Sequence, residues 1–393
     1  MNFLQERVKR NQYELTIENF RKHQYENIHY FSDVIVNFLS KLNKNYLTKN
    51  SSSFAEIINY KGINNSQFSE YSITVNKDQT VSELFKIYLP KLVDEYFFYL
   101  NGNFYIPAIY TIDYPIICKN ESIKLTALFN SITLYMKDDI VVFINHNIPL
   151  SMFLQLFLQD KEGKELYQEF IIKKKLKHEK HSDENLINYF KQKFSGNTYS
   201  EIKTQIENLF LDDYTKSLYE KCYDFEINIE NIIKYALRVF NNDEVPNFID
   251  LKNKRMVFLE ILLRPLLDRI SSLSINISKG QKVYSTELDK YSVIKYFLRS
   301  PNNSAQKKIN GLGGNYIYDI QNLYSGILQH KISFIPPGIE RPPKEIKNIH
   351  PTHYGIICPV TVSSQKPGSL VSVNPETKLD SFGRFLDVIE NKE

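Results

Sequence analysis

The sequence has no tryptophan and only three cysteines, Cys118, Cys222 and Cys358, placed far apart. An odd and scattered set excludes a disulfide framework and a cysteine-rich zinc site, and it fits a reducing cytoplasm. Long apolar runs are also missing. The longest, Met256 to Leu267, is interrupted by Glu260 and Arg264 and followed by Asp268 and Arg269, so it is too short and too charged to span a bilayer. The opening MNFLQERVKRNQYEL carries no apolar segment of the secretory kind. No membrane partner is expected. What is present is ordinary: 42% hydrophobic and 24% charged residues, which excludes collagen, extended disorder and coiled coil as descriptions of the chain. A length of 393 residues allows roughly two to four domains.

Chemical motifs are scarce as well. GLGGNY at 311–316 is glycine-rich but lacks the Lys-Ser/Thr of a phosphate-cradling loop. No Gly-x-Ser-x-Gly elbow and no clustered acidic motif for a two-metal site are found. His178 and His181 are three residues apart, whereas the zinc-protease motif needs four. His350, His353 and Cys358 lack a second cysteine pair, so a packed structural role outweighs a zinc reading. On chemistry alone the chain does not read as a self-contained enzyme, and it is expected to bind no cofactor of its own.

Charge is unevenly spread. Between Lys295 and Val360 there are eight Lys/Arg and three acids, a local +5 in a chain of net +4. A basic, Gly/Pro-rich segment on a near-neutral body can be a footprint for nucleic acid or a solvated loop region. The run KKKLKHEKH at 173–181 reads as a solvated helix face, with a DNA-facing patch as the minority alternative.

The periodicity predicts an α+β chain. Ile28, Phe31, Val34, Ile35, Phe38, Leu39 and Leu42 recur at helical spacing, so residues 1–50 read as helical. KNSSSF reads as a polar loop and Tyr71 to Val75 as a strand. Thr80-Val-Ser-Glu83 matches a capping box, which predicts a helix over VSELFKIYLPKLV, ended or kinked at Pro90. Asn101-Gly102 predicts a tight hairpin between aromatic-rich strands. Short strands follow over 115–145 and helices to about 241. Residues 250–270 predict one long amphipathic helix kinked at Pro265. Beyond Ser300, clustered Gly and Pro mark loops.

The run Ile349-His-Pro-Thr-His-Tyr-Gly355 followed by Ile-Ile-Cys358-Pro359 resembles the β subunit of multisubunit RNA polymerases. Its fork region carries His-Pro-Ser/Thr-His-Tyr/Trp-Gly-x-x-Cys-Pro. Three further stretches agree in order. Asp250-Leu-Lys-Asn253-Lys254-Arg255 is similar to the family's Asp-His-Leu-Gly-Asn-Arg-Arg segment, one residue shorter. Lys307-Lys308-Ile-Asn310-Gly-Leu-Gly313-Gly314 is similar to its Arg-Arg-Leu-Ser-Ala-Leu-Gly-Pro-Gly-Gly element, and FFYLNGNFYIPAIY to its Asn-Gly hairpin. The resemblance covers about 95–390 and is dense only after 250. Two departures stand out. The family's Glu-Thr-Pro-Glu-Gly is here Thr361-Val-Ser-Ser-Gln365, and the segment between the Gly-Gly element and His350 is longer.

The resemblance implies an architecture of protrusion, lobe and fork. Residues 1–145 would be the first part of the protrusion and 146–245 a mostly helical lobe. Residues 246–300 would be the protrusion's return helices, and 301–393 the fork and start of the β core. It implies an N-terminal fragment of a split β subunit, similar to those of giant (jumbo) bacteriophages. It would be a non-catalytic wall of a nucleotidyltransferase whose Mg2+ sits in the β′ chain. Its partners would be a separate C-terminal β fragment, β′ chains, template DNA and nascent RNA, and a promoter-specificity subunit. It would act in the cytoplasm of the infected bacterial host, with packaging in a virion as an option.

By position, Lys307, Lys308, Asn310, Arg341 and Lys344 would contact nucleic acid. His350, Pro351, His353, Tyr354, Gly355, Cys358 and Pro359 would form a rigid structural corner, with His353 and Tyr354 bonded or packed inside it. Asp250, Asn253, Lys254 and Arg255 would form the protrusion motif; Asn253 and Arg255 in it would be mostly structural, tying the protrusion to the fork, with contact to the DNA backbone as the secondary reading. Ala305 and Asn310 stand where the family places a histidine and a serine of the rifamycin pocket, which implies insensitivity to that drug. The competing expectation is a stand-alone DNA-binding or decoy protein derived from a β fragment.

Overall fold

The computed structural model describes residues 15–42, 49–56, 68–77, 80–90, 92–93, 97–100, 103–107, 109–174, 181–242, 247–278, 315–318, 331–333, 348–358 and 370–390, apart from 120, 145, 195 and 248. Lys307, Lys308, Asn310, Arg341, Lys344 and Pro359 lie outside the described residues, as do Asn101-Gly102 and most of the 173–181 charge run.

The fold mixes helices and antiparallel sheets. Helices α1 (Ile17–Glu26) and α2 (Ile28–Leu42) come first among the described residues. Thr16 caps α1 by accepting from the Asn19 N–H. The α2 stripe Phe31, Val34, Ile35, Phe38 and Leu39 is buried, as its helical spacing predicts. Strands β1 (Lys49–Glu56), β2 (Phe68–Lys77) and β3 (Thr80–Pro90) form one antiparallel sheet.

Two expectations fail in that sheet. The helix over VSELFKIYLPKLV is strand β3, and the polar loop KNSSSF lies in strand β1. A capping box stabilises only a helix end, whereas β3 pairs along its length with β2, from Lys77–Thr80 to Phe68–Pro90. Backbone ladders also accept serine, so polarity alone does not make a loop.

A second sheet joins β4 (Leu92–Val93), β5 (Phe97–Leu100), β6 (Asn103–Pro107) and, much later in the chain, β14 (Asn315–Tyr318). Leu100 pairs with Asn103, the two-residue connection that Asn101-Gly102 predicts. Strand β7 (Ile109–Asp113) belongs to a third sheet described below.

Strands β8 (Ile116–Lys119), β9 (Ser122–Thr126), β10 (Ser131–Tyr135), β11 (Ile140–Phe143) and β12 (His146–Pro149) form a five-stranded meander in chain order. Among the described residues six helices follow: α3 (Leu150–Phe157), α4 (Lys161–Lys174), α5 (Asp183–Lys191), α6 (Tyr199–Phe210), α7 (Asp213–Cys222) and α8 (Ile229–Asn241). Ser182, Thr198, Asp212 and Asn228 each cap a helix through a side-chain oxygen. The inward face of the meander and the apolar stripes of the helices share one core, from Ile116 to Phe240. Each fully buried Leu, Ile or Phe side chain stabilises it by about 1.5–3 kcal/mol.

The third sheet has the order β13 (Lys254–Val257), β7, β15 (Lys331–Ser333), β16 (Leu370–Ser372). Its strands come from four distant parts of the chain, and β15 runs parallel to β7. Residues 250–270 are therefore not one helix. A 3-10 turn at Leu251–Asn253 leads into β13, then α9 (Leu259–Leu262) and α10 (Arg264–Ser278). Pro265 stands in the first turn of α10, where its missing N–H costs nothing. The break comes at Leu263 instead. The short helix α11 (Leu386–Glu390) closes the described chain.

Ile17, Phe20, Ile109, Leu251, Met256, Ile356, Ile357, Val371, Val373, Leu379, Phe385 and Val388 form a second, smaller core around the third sheet. Leu15 pairs with Leu379, and Gln24 donates to the Ser381 carbonyl at 2.9 Å, so residues near both ends meet here.

Candidate functional site

The His350–Cys358 run folds as a tight corner on this smaller core. Pro351 starts a 3-10 turn over Pro351–His353. His350 and His353 cap each other reciprocally across it: the Thr352 N–H donates to His350 Nδ1, and the His350 N–H donates to His353 Nδ1, each at 3.3 Å. His353 Nε2 lies 2.7 Å from the Ile249 carbonyl. A carbonyl only accepts and a backbone N–H only donates. The ring is therefore the neutral tautomer with its proton on Nε2. Burial pushes His353 below the ordinary histidine range, outweighing the bond to Ile249 that works the other way. With both nitrogens engaged and 3% exposure, this imidazole is a structural bridge with no free proton to transfer.

The corner holds the 250–255 segment beside it. The Leu251 N–H donates to Thr352 Oγ1 at 3.1 Å, and that hydroxyl faces His350 Nδ1 at 2.8 Å. Asp250 caps its own turn by accepting from the Lys252 N–H at 3.0 Å, and its carboxylate lies 3.8 Å from His350 Nδ1. The two motifs are thus one unit, joined through Leu251–Thr352 and Ile249–His353. Gly355 has φ +75°, a left-handed turn residue that lets the chain reverse after Tyr354. The Cys358 N–H then donates to the Ser372 carbonyl at 2.9 Å, and the Asn374 side chain donates to the Gly355 carbonyl at 3.0 Å.

Tyr354 departs from expectation. It does not pack inside the corner but stands 78% exposed. With Lys252, Pro351, Thr352, Gly355, Ile356, Asp387 and Val388 it lines an open groove of about 450 Å³.

Lys254 and Arg255 point inward. The Lys254 ammonium lies 2.8 Å from an Asp113 carboxylate oxygen on the paired strand β7. Arg255 makes a bidentate pair with Glu260, 2.6 and 2.8 Å, and Tyr214 OH donates to the same carboxylate. Burial works against both charges. Even so, the pairing drives Arg255 above the usual arginine range and holds Glu260 below the usual carboxylate range. Burial and Glu260 together raise Tyr214 well above an ordinary tyrosine. Both cations are thus buried and engaged, which excludes contact with a DNA backbone in this arrangement.

Next to them the Met256 N–H donates to the Gly383 carbonyl at 2.7 Å. A Cβ on Gly383, at φ +81°, would stand 2.0 Å from the Met256 oxygen, so only glycine fits. Arg384 pairs with Asp380 at 2.7 Å and donates to the Lys221 carbonyl of α7.

Sequence reading missed Glu260, Tyr214, Asp113, Asp380 and Arg384. For Glu260 a signal existed: it is the lone acid inside the apolar Met256–Leu263 run, five residues after Arg255. Among the described residues no group of three or more His, Cys, Asp or Glu could hold a metal ion, and no helix is long and apolar enough to cross a membrane.

No family model matches the chain. A relative from Stigeoclonium helveticum, described as "DNA-directed RNA polymerase subunit beta N-terminal section", is 26% identical over 174 residues. The match covers 40% of this chain and 24% of the relative, so the chain spans about a quarter of the protein it matches. In sequence, therefore, the chain is similar to an RNA polymerase β subunit in its N-terminal section.

Proposed function

We propose that the chain is a subunit of a multisubunit DNA-directed RNA polymerase, the N-terminal part of a β subunit split between genes. It forms one wall of the DNA cleft and the fork near the template–RNA hybrid. The observation that carries this reading is the corner itself. The residues of the fork signature, His350 to Cys358, are joined by direct bonds to the residues of a second family motif, Asp250 to Arg255, about a hundred positions away.

The residues divide their work as follows. His350, Pro351, His353 and Gly355 set the rigid corner, and Arg255 with Glu260 anchors it to α7. Lys307, Lys308, Asn310, Arg341 and Lys344 follow the backbone of the hybrid or downstream DNA, neutralising phosphates without reading sequence. Nucleotidyl transfer belongs to Mg2+ held by β′, and this chain contributes shape and charge. The divisions at 145, 245 and 300 into protrusion, lobe, return helices and fork belong to the same proposal. So do the partners: a C-terminal β fragment, β′ chains, template DNA, nascent RNA and a specificity subunit. A split arrangement of the giant-phage type places the enzyme in the infected host's cytoplasm or in a virion.

Affinity purification of the chain from its native source, with mass spectrometry of what accompanies it, tests this directly. Recovery of a C-terminal β chain and β′ chains in equal amounts is expected. Recovery of the chain alone, soluble and monodisperse, would overturn the proposal in favour of a stand-alone DNA-binding or decoy protein. Within a recovered polymerase, Lys307→Glu with Lys308→Glu should make elongation complexes more salt-sensitive, and rifamycin should not inhibit.

A further inference from the structure

The five-stranded meander β8–β12 buries one face against α3 and α8, and on its other face Lys119, Lys124 and Tyr135 are exposed among the described residues. Burial alternates residue by residue along its strands, so this outer face is well defined. The registers set Lys119, Ser122 and Tyr135 side by side in one row across β8, β9 and β10. Lys124 and Thr133 stand in the next row. Tyr135 is 40% exposed, one of the few large apolar side chains that reach solvent among the described residues. Two strand spacings, roughly 10 Å, separate it from Lys119.

No carboxylate stands in either row. The nearby acids are at the rim: Glu121 in the β8–β9 turn, Asp138 and Asp139 in the β10–β11 turn, and Asp268, which is paired with Arg264 at 2.9 Å. Neither Lys119 nor Lys124 has an ion-pair partner among the described residues. Arg264, at the start of α10, adds a third cation from outside the sheet. Partial burial, then Arg264, then Lys119, hold the Lys124 ammonium below the ordinary lysine range. Two lysines on one sheet face with no carboxylate in their rows are relieved by a bound anion, while Arg264, itself paired with Asp268, adds only to the background potential. An aromatic ring and hydroxyls interleaved with those cations suit a phosphate chain that also carries flat bases.

We infer that the outer face of β8–β12 binds single-stranded nucleic acid, with Lys119 and Lys124 on phosphates and the Tyr135 ring against a base. The inference deepens the polymerase reading and rests on it only for which strand is held. The surface is separate from Lys307, Lys308 and Arg341 in sequence.

The test is fluorescence anisotropy of fluorescein-labelled oligo(dT) with the full chain across a salt titration. Hydrogen exchange of each variant checks its fold. Lys119→Glu with Lys124→Glu should weaken binding at least about tenfold and lower the salt slope by roughly 1.4, the value for two phosphate contacts on a single strand. Tyr135→Ser should weaken it roughly 5- to 150-fold, the range for losing one stacked base. Lys161→Glu with Lys164→Glu, on exposed positions of α4, should change little.

Equal losses from the α4 pair, or competition by poly-glutamate as strong as by unlabelled oligo(dT), would reduce the effect to general charge attraction and overturn the inference. Wild-type affinity in both sheet variants would overturn it too. So would absence of oligo(dT) binding combined with loss of a co-purifying polypeptide in the sheet variants, which would make the face a protein contact. Sheet variants that keep wild-type affinity while polymerase chains still co-purify sink this inference alone. Loss of those chains from the wild type sinks the functional reading and leaves the anisotropy result standing.

Discussion

The meander-and-helix body and the corner body are held together by different physics. Among the described residues the first gathers 34 buried side chains in one apolar core, and the second gathers 12. The smaller core compensates with specific polar bonds: Arg255 on Glu260, Lys254 on Asp113, and His353 on Ile249. A large core tolerates imprecision, because burial is non-directional and summed over many contacts. A small core fixed by buried charges has one geometry, and losing one partner strands the other. The signature residues therefore lie in the body that packing alone would leave least determined.

The largest expected effect breaks the corner. Arg255→Met leaves Glu260 buried without its cation and should cost about 3–5 kcal/mol. Glu260→Gln added to it should recover most of the loss, which a double-mutant cycle by urea unfolding would measure. Absence of recovery would mean that the pair is not a strut of the corner. Leu154→Ala, in the larger core, should cost about 2–5 kcal/mol through lost burial and a cavity. No single polar partner should rescue it. Hydrogen exchange should localise that loss to the meander and helices and leave the corner protected.

The two bodies should also respond to pH with opposite sign. Burial raises the Asp212 carboxyl to about 6 although Thr215 donates to it twice. Its folded value lies above its unfolded one, so the stability linked to its protonated form is present below about 4 and lost as pH rises through about 6. The loss is roughly 2–3 kcal/mol, because each tenfold change in proton affinity is worth about 1.4 kcal/mol. Asp212→Asn keeps a helix cap and should flatten that slope.

His353 has a folded value below its unfolded one. Protonation favours unfolding, and the corner should weaken as pH falls below the ordinary histidine range near 6.5. Exchange rates of the two bodies followed from pH 4 to pH 8 should cross, and parallel curves would refute the contrast. The smallest effect is Ser182→Ala at the start of α5, about 0.5–2 kcal/mol, confined to the larger body.

Legibility followed the range of the interactions. The meander was readable because its alternation is local and its inward residues are apolar. The hairpin at Asn101-Gly102 was readable because turn chemistry is local too. Thr80 to Pro90 was misread because its ends carry a helix signal while its partner is a neighbouring strand. Lys254 to Val257 was misread because the ladder that makes it a strand comes from residues 110–113. The corner residues are named by a motif that also implies a structural role for them, yet their partners are not legible in it. Tyr354 turned outward and Arg255 inward, and the acid that decides the second stands in a different element.

By itself, then, the sequence determined the helical stripes, the strand alternation and the placement of a signature. Those depend on neighbours within a few positions, where backbone geometry fixes which side chains share a face. The tertiary structure alone decided that Leu251 meets Thr352, that His353 is neutral, and that Arg255 is anchored by Glu260 and Tyr214. Each of those depends on desolvation and on partners brought together by folding, and neither is encoded in local spacing.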